Sequence, residues 1–509
     1  MNKYGGKMKI FLGNSPWYPL KDNNGNNIEK CNTKFWGVRA GSRWPHYQHY
    51  EPNLGRSLYI PFPHFLAESA SILENSGFDV LLVDGVAEGM SREDFLGKIS
   101  SFNPELIVFE VSTPSIQYDL EIAKTAKEHV PDAKTVFCGA HTPMFKPDFL
   151  KENEIVDFVM VGEYEQTIKE LAISLKEEKT LAFCKGLIYK GAQLPAFTGY
   201  RQLLENLDDL PRPAYHFLPM SNYFDNPWCM PSPSAQLWTS RGCPFNCIFC
   251  AWPAIMYEDG TPNSTRKYRT KSVSRVAEEV KWLVDNFKIK SYYFDDDTVN
   301  VGNKRMIELG EALIKNKLHT IPWGMMARAD LMDENLLVKL KEAGMHAVKY
   351  GVESGVQSIV DRSNKNLNLN KVKKVIEITR KLDIKMHLTF IFGLPGETLE
   401  TIDKTIQFAL DSEPDTVQFS ICTPFPGTPS YEEYREKGWL IEDSWDSFNG
   451  NYKSVIRTEF LTPEDLERSL EKAYEKWGAY HKRKHPELYR QPEIGTRQKI
   501  KNKIKDLFD

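Results

Sequence analysis

Short apolar runs alternate with amphipathic stretches from residue 1 to about residue 190. The runs are rich in Val, Ile, Leu and Phe, which is typical of strands buried on both faces. Between them, Phe65 to Ser76 shows helical spacing, and Gly77 is placed to end that helix. The alternation predicts an α/β domain with a parallel sheet over residues 1–190. Its predicted strands are Lys9–Leu12, Val80–Val83, Leu106–Phe109, Thr135–Cys138 and Asp157–Met160.

Small, polar and glycine residues follow several of these predicted strands. In parallel sheets, ligands bind beyond the carboxyl ends of the strands. We therefore expect a ligand site at this edge. Its candidate residues are Ser112, Thr113, Gly139 and Gly162.

Strand–helix repeats return from residue 236 to about residue 431. Six predicted strands favour a partial (β/α)6 barrel over a full eight-unit barrel. Ser274 is predicted to cap the helix that carries Val276 and Val280, and Asp333 to cap a later helix. The predicted strands are Gln236–Thr239, Ser291–Phe294, Pro322–Met326, Ala347–Tyr350, Lys385–Phe392 and Thr416–Ile421.

Three further segments flank these two domains. Residues 191–235 are predicted to be a linker, because prolines such as those of Asp208–Pro213 interrupt regular structure. Residues 432–509 are predicted to be a small, mainly helical region with an amphipathic helix from Thr462 to Tyr480. The basic tail at 497–505 could contact nucleic acid or a membrane surface, or it could be a solvated helix end.

An aromatic insertion at residues 31–63 is too long for an ordinary connection. Its aromatic content argues against disorder. It could cover a cofactor or line a substrate channel, with Arg39 and Arg43 available to an anionic group. Alternatively, it is a packed lid with solvated arginines.

Composition narrows the class of protein. Hydrophobic content of 41% and charged content of 26% are ordinary for a globular protein, and a net charge of -4 gives no bulk attraction to nucleic acid. There is no secretory leader pattern and no apolar run of about 20 residues, so we expect a cytoplasmic protein without a membrane span. The eight cysteines do not suggest a disulfide framework.

Three of the cysteines lie within eight positions, as Cys243, Cys247 and Cys250. Three thiolates on one loop can bind three irons of a [4Fe–4S] cluster and leave the fourth iron open. A zinc site would need a fourth Cys or His at short spacing, and the next twenty residues contain neither. Packing of three buried cysteines is the other alternative, although the neighbouring Gly and Pro favour an exposed turn.

This C-x3-C-x2-C stretch, with aromatic Phe249 before its last cysteine, resembles the cluster loop of the radical S-adenosylmethionine (radical SAM) enzymes. The preceding Gly77–Val80, Gly139–Pro143 and Asp157–Glu163 resemble the Rossmann-like cobalamin-binding domain that precedes many radical SAM domains. This resemblance adds His141 and Glu163 to the candidate contacts of the ligand edge. No D-x-H-x-x-G pattern is present, so the lower ligand of cobalt stays open. His141 is a candidate ligand, or a loop histidine that caps local structure.

The resemblance also implies roles for the strand-end loops of the barrel. Acidic residues after the second strand would face the ammonium of S-adenosylmethionine, Arg328 would bind a carboxylate, and Glu353 would accept hydrogen bonds from a ribose. Gly393 and Pro395 would let the backbone approach a planar ring. The implied cofactor contacts in the barrel are Phe249, Asp295, Asp297, Arg328, Glu353, Ser354, Gly393 and Pro395.

Taken together, the resemblance implies an enzyme that reductively cleaves S-adenosylmethionine at a [4Fe–4S] cluster to a 5′-deoxyadenosyl radical. With cobalamin, it would methylate an unactivated carbon of a small-molecule or lipid-like substrate. The family also contains the anaerobic magnesium-protoporphyrin IX monomethyl ester cyclase, so oxidative cyclisation or ring rearrangement is an alternative. A non-catalytic cobalamin or iron–sulfur protein is a third. The implied setting is oxygen-poor, with flavodoxin or ferredoxin as electron donor.

Overall fold

Parallel strands with helices packed against them make up both halves of the computed structural model. The structure describes residues 6–17, 59–224, 230–251, 267–442, 444–448 and 453–486, and the backbone of 35–38, 46–51 and 56–57. Arg39, Arg43, Cys31, Cys229 and the basic tail lie outside the described residues.

The first half contains a seven-stranded sheet in the order β10-β9-β8-β7-β6-β1-β5. Strands β1 and β5 to β8 are parallel, whereas β9 and β10 pair antiparallel. In chain order the elements are β1 (Lys9–Asn14), β2 (Phe35–Val38), β3 (His46–Glu51), β4 (Arg56–Ser57), α1 (His64–Asn75), β5 (Asp79–Asp84), α2 (Arg92–Phe102), β6 (Leu106–Glu110), α3 (Ile116–His129), β7 (Lys134–Cys138), α4 (Phe149–Glu152), β8 (Phe158–Met160), α5 (Glu165–Lys176), β9 (Leu187–Lys190) and β10 (Pro195–Phe197).

The second half contains a six-stranded parallel sheet in the order β11-β14-β15-β16-β17-β18, the order of a partial barrel. Its elements are β11 (Ser234–Leu237), β12 (Ser240–Arg241), β13 (Arg269–Thr270), α6 (Val273–Phe287), β14 (Ser291–Phe294), α7 (Asn303–Lys315), β15 (Trp323–Ala327), α8 (Glu334–Glu342), β16 (Met345–Glu353), α9 (Gln357–Arg362), α10 (Leu369–Lys381), β17 (Lys385–Phe392), α11 (Leu399–Asp411), β18 (Thr416–Ile421), α12 (Pro429–Glu436) and α13 (Pro463–Lys484).

The fold class predicted from the apolar pattern is confirmed, with four local differences. The first sheet continues through β10, past the predicted domain end at residue 190, because β10 pairs with β9. Ser272, rather than Ser274, caps α6 by accepting the Arg275 N–H. Strand β11 ends at Leu237, two residues before the predicted end, and the Thr239 N–H donates to the Asp296 carboxylate instead of to a neighbouring strand. The aromatic insertion contributes a small antiparallel sheet of β2, β3 and β4 rather than a single long loop.

Apolar side chains join the two halves through one continuous core that contains α1, α5 and the outer faces of the barrel strands. A second core lies on the other face of the first sheet, under α2 and α3. Helix α13 packs along β18, where the Tyr474 hydroxyl donates to the Phe419 carbonyl at 2.9 Å. No helix within the described ranges is long and apolar enough to cross a membrane.

Candidate functional site

Gly242 fixes the start of the cysteine loop, which we define as residues 242–250. Its φ is +84°, and an added Cβ would lie 2.1 Å from the Lys267 carbonyl oxygen. Its N–H donates to the Asp297 carboxylate at 3.1 Å. Because only glycine combines this backbone conformation with so close an approach, the turn before Cys243 depends on it.

Asp296, which we did not single out from the sequence, anchors the chain just before this loop. One of its carboxylate oxygens accepts hydrogen bonds from the Thr239 N–H at 2.8 Å, the Thr239 hydroxyl at 3.0 Å and the Ser240 hydroxyl at 2.5 Å. Burial raises the pKa of Asp296, and these hydrogen bonds oppose that rise. The middle residue of the acidic run Asp295–Asp297 therefore has a structural role. Its neighbour Asp295 is buried at the same strand end.

The three cysteines of the loop are free thiols and half-buried. The Cys243 Sγ lies 3.4 Å from the Thr298 hydroxyl. Burial raises the pKa of Cys247, while the positive charges of Lys365 and Arg328 lower it. Such cations stabilise thiolates, so the donor set and its surroundings fit a [4Fe–4S] cluster. Among the described residues, no group of three His, Cys, Asp or Glu side chains is arranged to hold a single metal ion.

The far side of the loop is fixed by backbone hydrogen bonds to the rest of the barrel. The Ile248 N–H donates to the Ser363 carbonyl, and the Ser430 N–H donates to the Ile248 carbonyl, each at 3.0 Å. Phe249 is buried in the core, with the Lys365 ammonium 6.0 Å from its ring centroid. These protein contacts hold the loop in place. Phe249 remains a predicted cofactor contact.

Arg328 and Glu353 lie where we expected them, at the carboxyl ends of the barrel strands, which we call the barrel mouth. The Arg328 guanidinium makes a two-pronged contact with Asp330, at 3.0 and 2.9 Å, and stacks on Phe245 at 3.8 Å. Glu353, with φ of +71°, pairs with Lys365 at 2.5 Å. Both side chains therefore already have protein partners of opposite charge. A ligand would have to share or displace those partners.

Ser354 and Gly393 lie deeper in the fold. The Ser354 hydroxyl is 3.0 Å from the Thr405 hydroxyl of α11 and is fully buried. The Gly393 N–H donates to Glu397 at 2.6 Å, and burial raises the pKa of Glu397 to about 8. Pro395 is buried in the same loop. Their predicted contacts with S-adenosylmethionine remain predictions.

The ligand edge of the first sheet brings Thr113, Gly139 and His141 together. Gly139 has φ of +109°, and an added Cβ would lie 2.6 Å from the Val111 carbonyl oxygen. The His141 Nδ1 lies 2.9 Å from the Thr113 hydroxyl. Burial lowers the pKa of His141 to about 4, which keeps the imidazole neutral. Ser112 begins the same turn, and its hydroxyl bonds to Ser115.

The C-terminal region covers part of this edge. Trp445 packs on the His141 ring with centroids 5.4 Å apart, and Phe145 contacts the same ring at 5.0 Å. Trp445 also lies 6.0 Å from Tyr431, which follows the last barrel strand. His141 is thus enclosed by protein on these sides, which favours a loop-stabilising role over a cobalt ligand.

The Glu163 carboxylate belongs to an interdomain ion cluster, defined as Arg241, Arg269, Glu68, Glu163 and Glu165. Arg241 pairs with all three carboxylates, and Arg269 pairs with Glu163 at 2.5 Å. Gly162 and Glu163 follow β8 at the ligand edge of the first sheet. The interdomain ion cluster therefore connects this edge to Arg241, which lies two residues before Cys243. Gly162, with φ of +82°, provides the turn.

The two carboxylates that follow β8, those of Glu163 and Glu165, have pKa values shifted in opposite directions. Although burial raises the pKa of Glu163, the positive charges of Arg241 and Arg269 hold it below its usual value. Burial raises the pKa of Glu165 to about 7, opposed by Arg241 and reinforced by Glu163 and Glu68. Because three carboxylates share two guanidiniums, Glu165 retains its proton most easily.

Comparison with known families covers both halves of the chain. The family model described as Radical SAM superfamily matches residues 239–409, and the one described as B12 binding domain matches residues 66–172. An uncharacterized methyltransferase of Pyrococcus horikoshii is 31% identical over 413 residues, which cover 81% of this chain and 86% of the relative. The anaerobic magnesium-protoporphyrin IX monomethyl ester cyclase of Cereibacter sphaeroides is 26% identical, over 79% of this chain and 65% of the cyclase.

Solved structures share the fold. The radical SAM methyltransferase TsrM from Kitasatospora setae, with tryptophan substrate and a SAM analogue bound, gives a TM-score of 0.61 at 16% identity, over 84% of this chain and 76% of that chain. The cobalamin-dependent S-adenosylmethionine radical enzyme OxsB, with aqua-cobalamin and S-adenosylmethionine bound, gives a TM-score of 0.65 at 14% identity. The match covers 92% of this chain and 66% of that chain.

A six-stranded parallel barrel whose first strand leads into a loop of three free cysteines defines a radical SAM enzyme. The chain belongs to the cobalamin-dependent radical SAM family, which includes methyltransferases and a cyclase. Its cofactors are a [4Fe–4S] cluster, S-adenosylmethionine and cobalamin. The family and cofactors expected from the sequence are confirmed.

Replacing any one of Cys243, Cys247 or Cys250 by Ala should abolish cluster assembly, because each thiolate is expected to hold one iron. Iron and sulfide content after anaerobic reconstitution measures this. Cys422→Ala is the matched control, because burial raises the pKa of that thiol to about 12 and keeps it protonated. Full iron content in a loop variant would contradict the assignment.

Glu165→Gln should flatten the pH dependence of thermal stability. The folded-state pKa of Glu165, about 7, lies above the ordinary value of 4.5, so the folded state binds the extra proton between these values. Wild-type stability should therefore fall as pH rises from about 4.5 to about 7, and the variant should lose this component. Unfolding midpoints across that range test it, with exposed Glu152→Gln as control. Identical pH profiles for wild type and Glu165→Gln would contradict it.

Proposed function

We propose that this enzyme methylates an unactivated carbon of its substrate, in a reaction that cleaves S-adenosylmethionine. The observation that carries the proposal is the interdomain ion cluster. Arg241, two residues before Cys243, pairs with Glu163, directly beyond β8 of the B12-binding domain. An iron–sulfur loop and a cobalamin-binding edge fixed to each other suit a methyl transfer that uses both cofactors.

The chain's own residues would divide the work as follows. The cysteine loop would hold the cluster, and the barrel mouth would orient S-adenosylmethionine through Asp295, Asp297, Arg328 and Glu353. When bound, the cluster supplies the electron that cleaves S-adenosylmethionine, and cobalamin supplies the methyl group. The strands and helices of the partial barrel would limit the access of water to the reacting carbon. We further propose a small redox protein, such as flavodoxin or ferredoxin, as electron donor.

Oxidative cyclisation is the alternative function. The relative from Cereibacter sphaeroides that carries that name is 26% identical over 412 residues. Several other relatives are named methyltransferases, among them the hopanoid C-3 methylase of Methylococcus capsulatus and the cytidylyl-2-hydroxyethylphosphonate methyltransferase of Streptomyces wedmorensis. These names favour methylation as the type of reaction. The substrates in the names are those of the relatives and are not assigned to this chain.

The two functions differ in the product they give. Reconstituted enzyme, a reductant and S-adenosylmethionine labelled with deuterium in its methyl group would be incubated anaerobically with an extract of the host. Methylation predicts 5′-deoxyadenosine and a metabolite in which a CD3 group has replaced one hydrogen atom. Cyclisation predicts a product changed only in hydrogen and oxygen count. Absence of 5′-deoxyadenosine would contradict both.

Glu353→Gln should weaken S-adenosylmethionine binding at least tenfold, because hydrogen bonds to a charged group contribute about 1.5–3 kcal/mol. The iron–sulfur cluster should stay intact, because contacts that do not involve Glu353 hold the cysteine loop. Calorimetric titration of the reconstituted protein measures the affinity, and iron content reports the cluster. Exposed Glu334→Gln is the matched control. Unchanged affinity in Glu353→Gln would mean that the ribose contact is wrongly assigned.

A further inference from the structure

Residues 362–376 contain no acidic side chain, in a chain where acidic residues occupy 69 of 509 positions. The stretch runs from the last residue of α9 through a short loop into the first two turns of α10. One of its five basic residues, Lys365, is buried and paired with Glu353. The other four are exposed, and we call them the basic face: Arg362, Lys371, Lys373 and Lys374.

The loop between α9 and α10 packs against the cysteine loop. The Ile248 N–H donates to the Ser363 carbonyl at 3.0 Å, and the Asn364 side-chain amide donates to the Asn246 carbonyl at 2.9 Å. Asn246 and Asn364 are both exposed, and Arg362 directly precedes Ser363. The exposed side of the cysteine loop therefore borders the basic face.

A second set of contacts links the basic face to the cysteine loop. The Lys371 ammonium donates to the Asp330 carbonyl. The Asp330 carboxylate pairs with the Arg328 guanidinium, which stacks on Phe245 of the cysteine loop at 3.8 Å. Only one ion pair separates Lys371 from the cysteine loop, so a protein bound at the basic face would lie close to the cluster site.

The stability of α10 does not account for its lysines. Negative side chains are favoured in the first turn of a helix and positive ones in the last, each by about 0.3–1 kcal/mol. Helix α10 has no acidic residue in its first turn, and Lys371, Lys373 and Lys374 lie toward that end. These lysines therefore occupy the less favourable end of the helix.

Pairing along the helix does not neutralise the basic face either. The Lys374 ammonium has no ion pair or hydrogen bond among the described residues, although Glu377 lies one turn further along. Lys373 lies over the Phe408 ring at 5.4 Å, a contact that leaves its charge in place. On other helices, exposed lysines pair with a carboxylate four positions away, as in Lys281–Asp285, Lys304–Glu308 and Lys404–Glu400.

We propose that the basic face docks the electron donor, a small redox protein whose surface around its flavin or iron–sulfur centre is acidic. With a net charge of -4 the enzyme as a whole repels an acidic protein, so a local positive surface is needed to steer it. The donor loses one electron and the cluster gains it, and no atom or proton passes between the two proteins. This inference rests on the proposed function, because reductive cleavage of S-adenosylmethionine requires that electron.

The same stretch is poorly suited to the other polyanions that basic surfaces attract. A helix that lies on a membrane inserts an apolar face, whereas the apolar side chains of α10, such as Val372, Val375 and Ile376, are buried in the core. Residues 362–376 also contain no aromatic side chain on which a nucleic-acid base could stack. These features favour an acidic protein as the occupant.

Direct binding tests the basic face with two acidic probes, a bacterial flavodoxin and a bacterial ferredoxin. Each would be titrated anaerobically, in its oxidised form, into the reconstituted enzyme, with the heat of binding measured at rising salt concentrations. At least one probe should bind, and its binding should weaken as salt rises, because the contact is mainly electrostatic. Binding that is independent of salt would overturn the proposal. So would tighter binding of phosphatidylglycerol vesicles or single-stranded RNA than of either protein.

Charge reversal locates the binding surface. Lys373→Glu/Lys374→Glu should weaken binding of the preferred probe at least tenfold, because attraction becomes repulsion within the contact. The matched control is Lys98→Glu/Lys124→Glu, which makes the same change in net charge at exposed positions of α2 and α3 and should bind as wild type does. If the α10 double variant fails to fold, Lys374→Glu alone should still weaken binding about threefold. Wild-type binding by an α10 variant, or equal losses in both double variants, would contradict the docking surface.

Two reductants distinguish failure of this inference from failure of the proposed function. Dithionite is small and needs no docking surface, so cleavage of S-adenosylmethionine with dithionite should match wild type in every variant. With the preferred probe as reduced donor, the α10 double variant should show an apparent KM for the donor at least tenfold higher. Wild type that cleaves S-adenosylmethionine with dithionite but binds neither probe overturns the docking surface alone. Wild type that cannot cleave it with dithionite overturns the proposed function, whatever the probes show.

Discussion

The buried contact between Arg241 and three carboxylates is the interaction on which the arrangement of this enzyme depends. Glu68 comes from α1, Glu163 follows β8 and Glu165 begins α5, so one guanidinium contacts three parts of the first half. The same residue lies two positions before Cys243. The place of the iron–sulfur loop is therefore fixed relative to the B12-binding domain by the chain itself.

The interdomain ion cluster contributes more to the geometry of the protein than to its net stability. Burying charged groups costs free energy that their attraction only partly returns, and apolar replacements are often as stable. The planar Arg241 side chain, however, stacks over Phe65 and pairs on its edges, which allows few alternative positions. We interpret the cluster as a device that sets the orientation of two domains that would otherwise be joined mainly by apolar packing. Burial raises the pKa of Glu165 to about 7, so this carboxylate can relieve the excess negative charge by taking up a proton.

Local patterns were sufficient for most of the fold and for the cysteine loop. The predicted strands Ser291–Phe294, Lys385–Phe392 and Thr416–Ile421 match the observed ones, because the pattern of apolar residues that predicts a strand is a local property. Asp333 caps its helix as expected, since a cap involves residues only three apart. The first sheet continues past residue 190, because β10 joins it through pairing that its short sequence does not indicate.

The sequence by itself determined the order of elements, the family and the three cysteines, because each depends on residue type and short spacing. Tertiary structure decided the roles of the charged residues. Asp296 anchors the cysteine loop, Glu163 pairs with arginines distant in sequence, and Glu353 pairs with Lys365 beyond the same strand end. A charged side chain can be solvated, paired or ligand-binding, and only the partners that the fold brings within a few ångströms select among these.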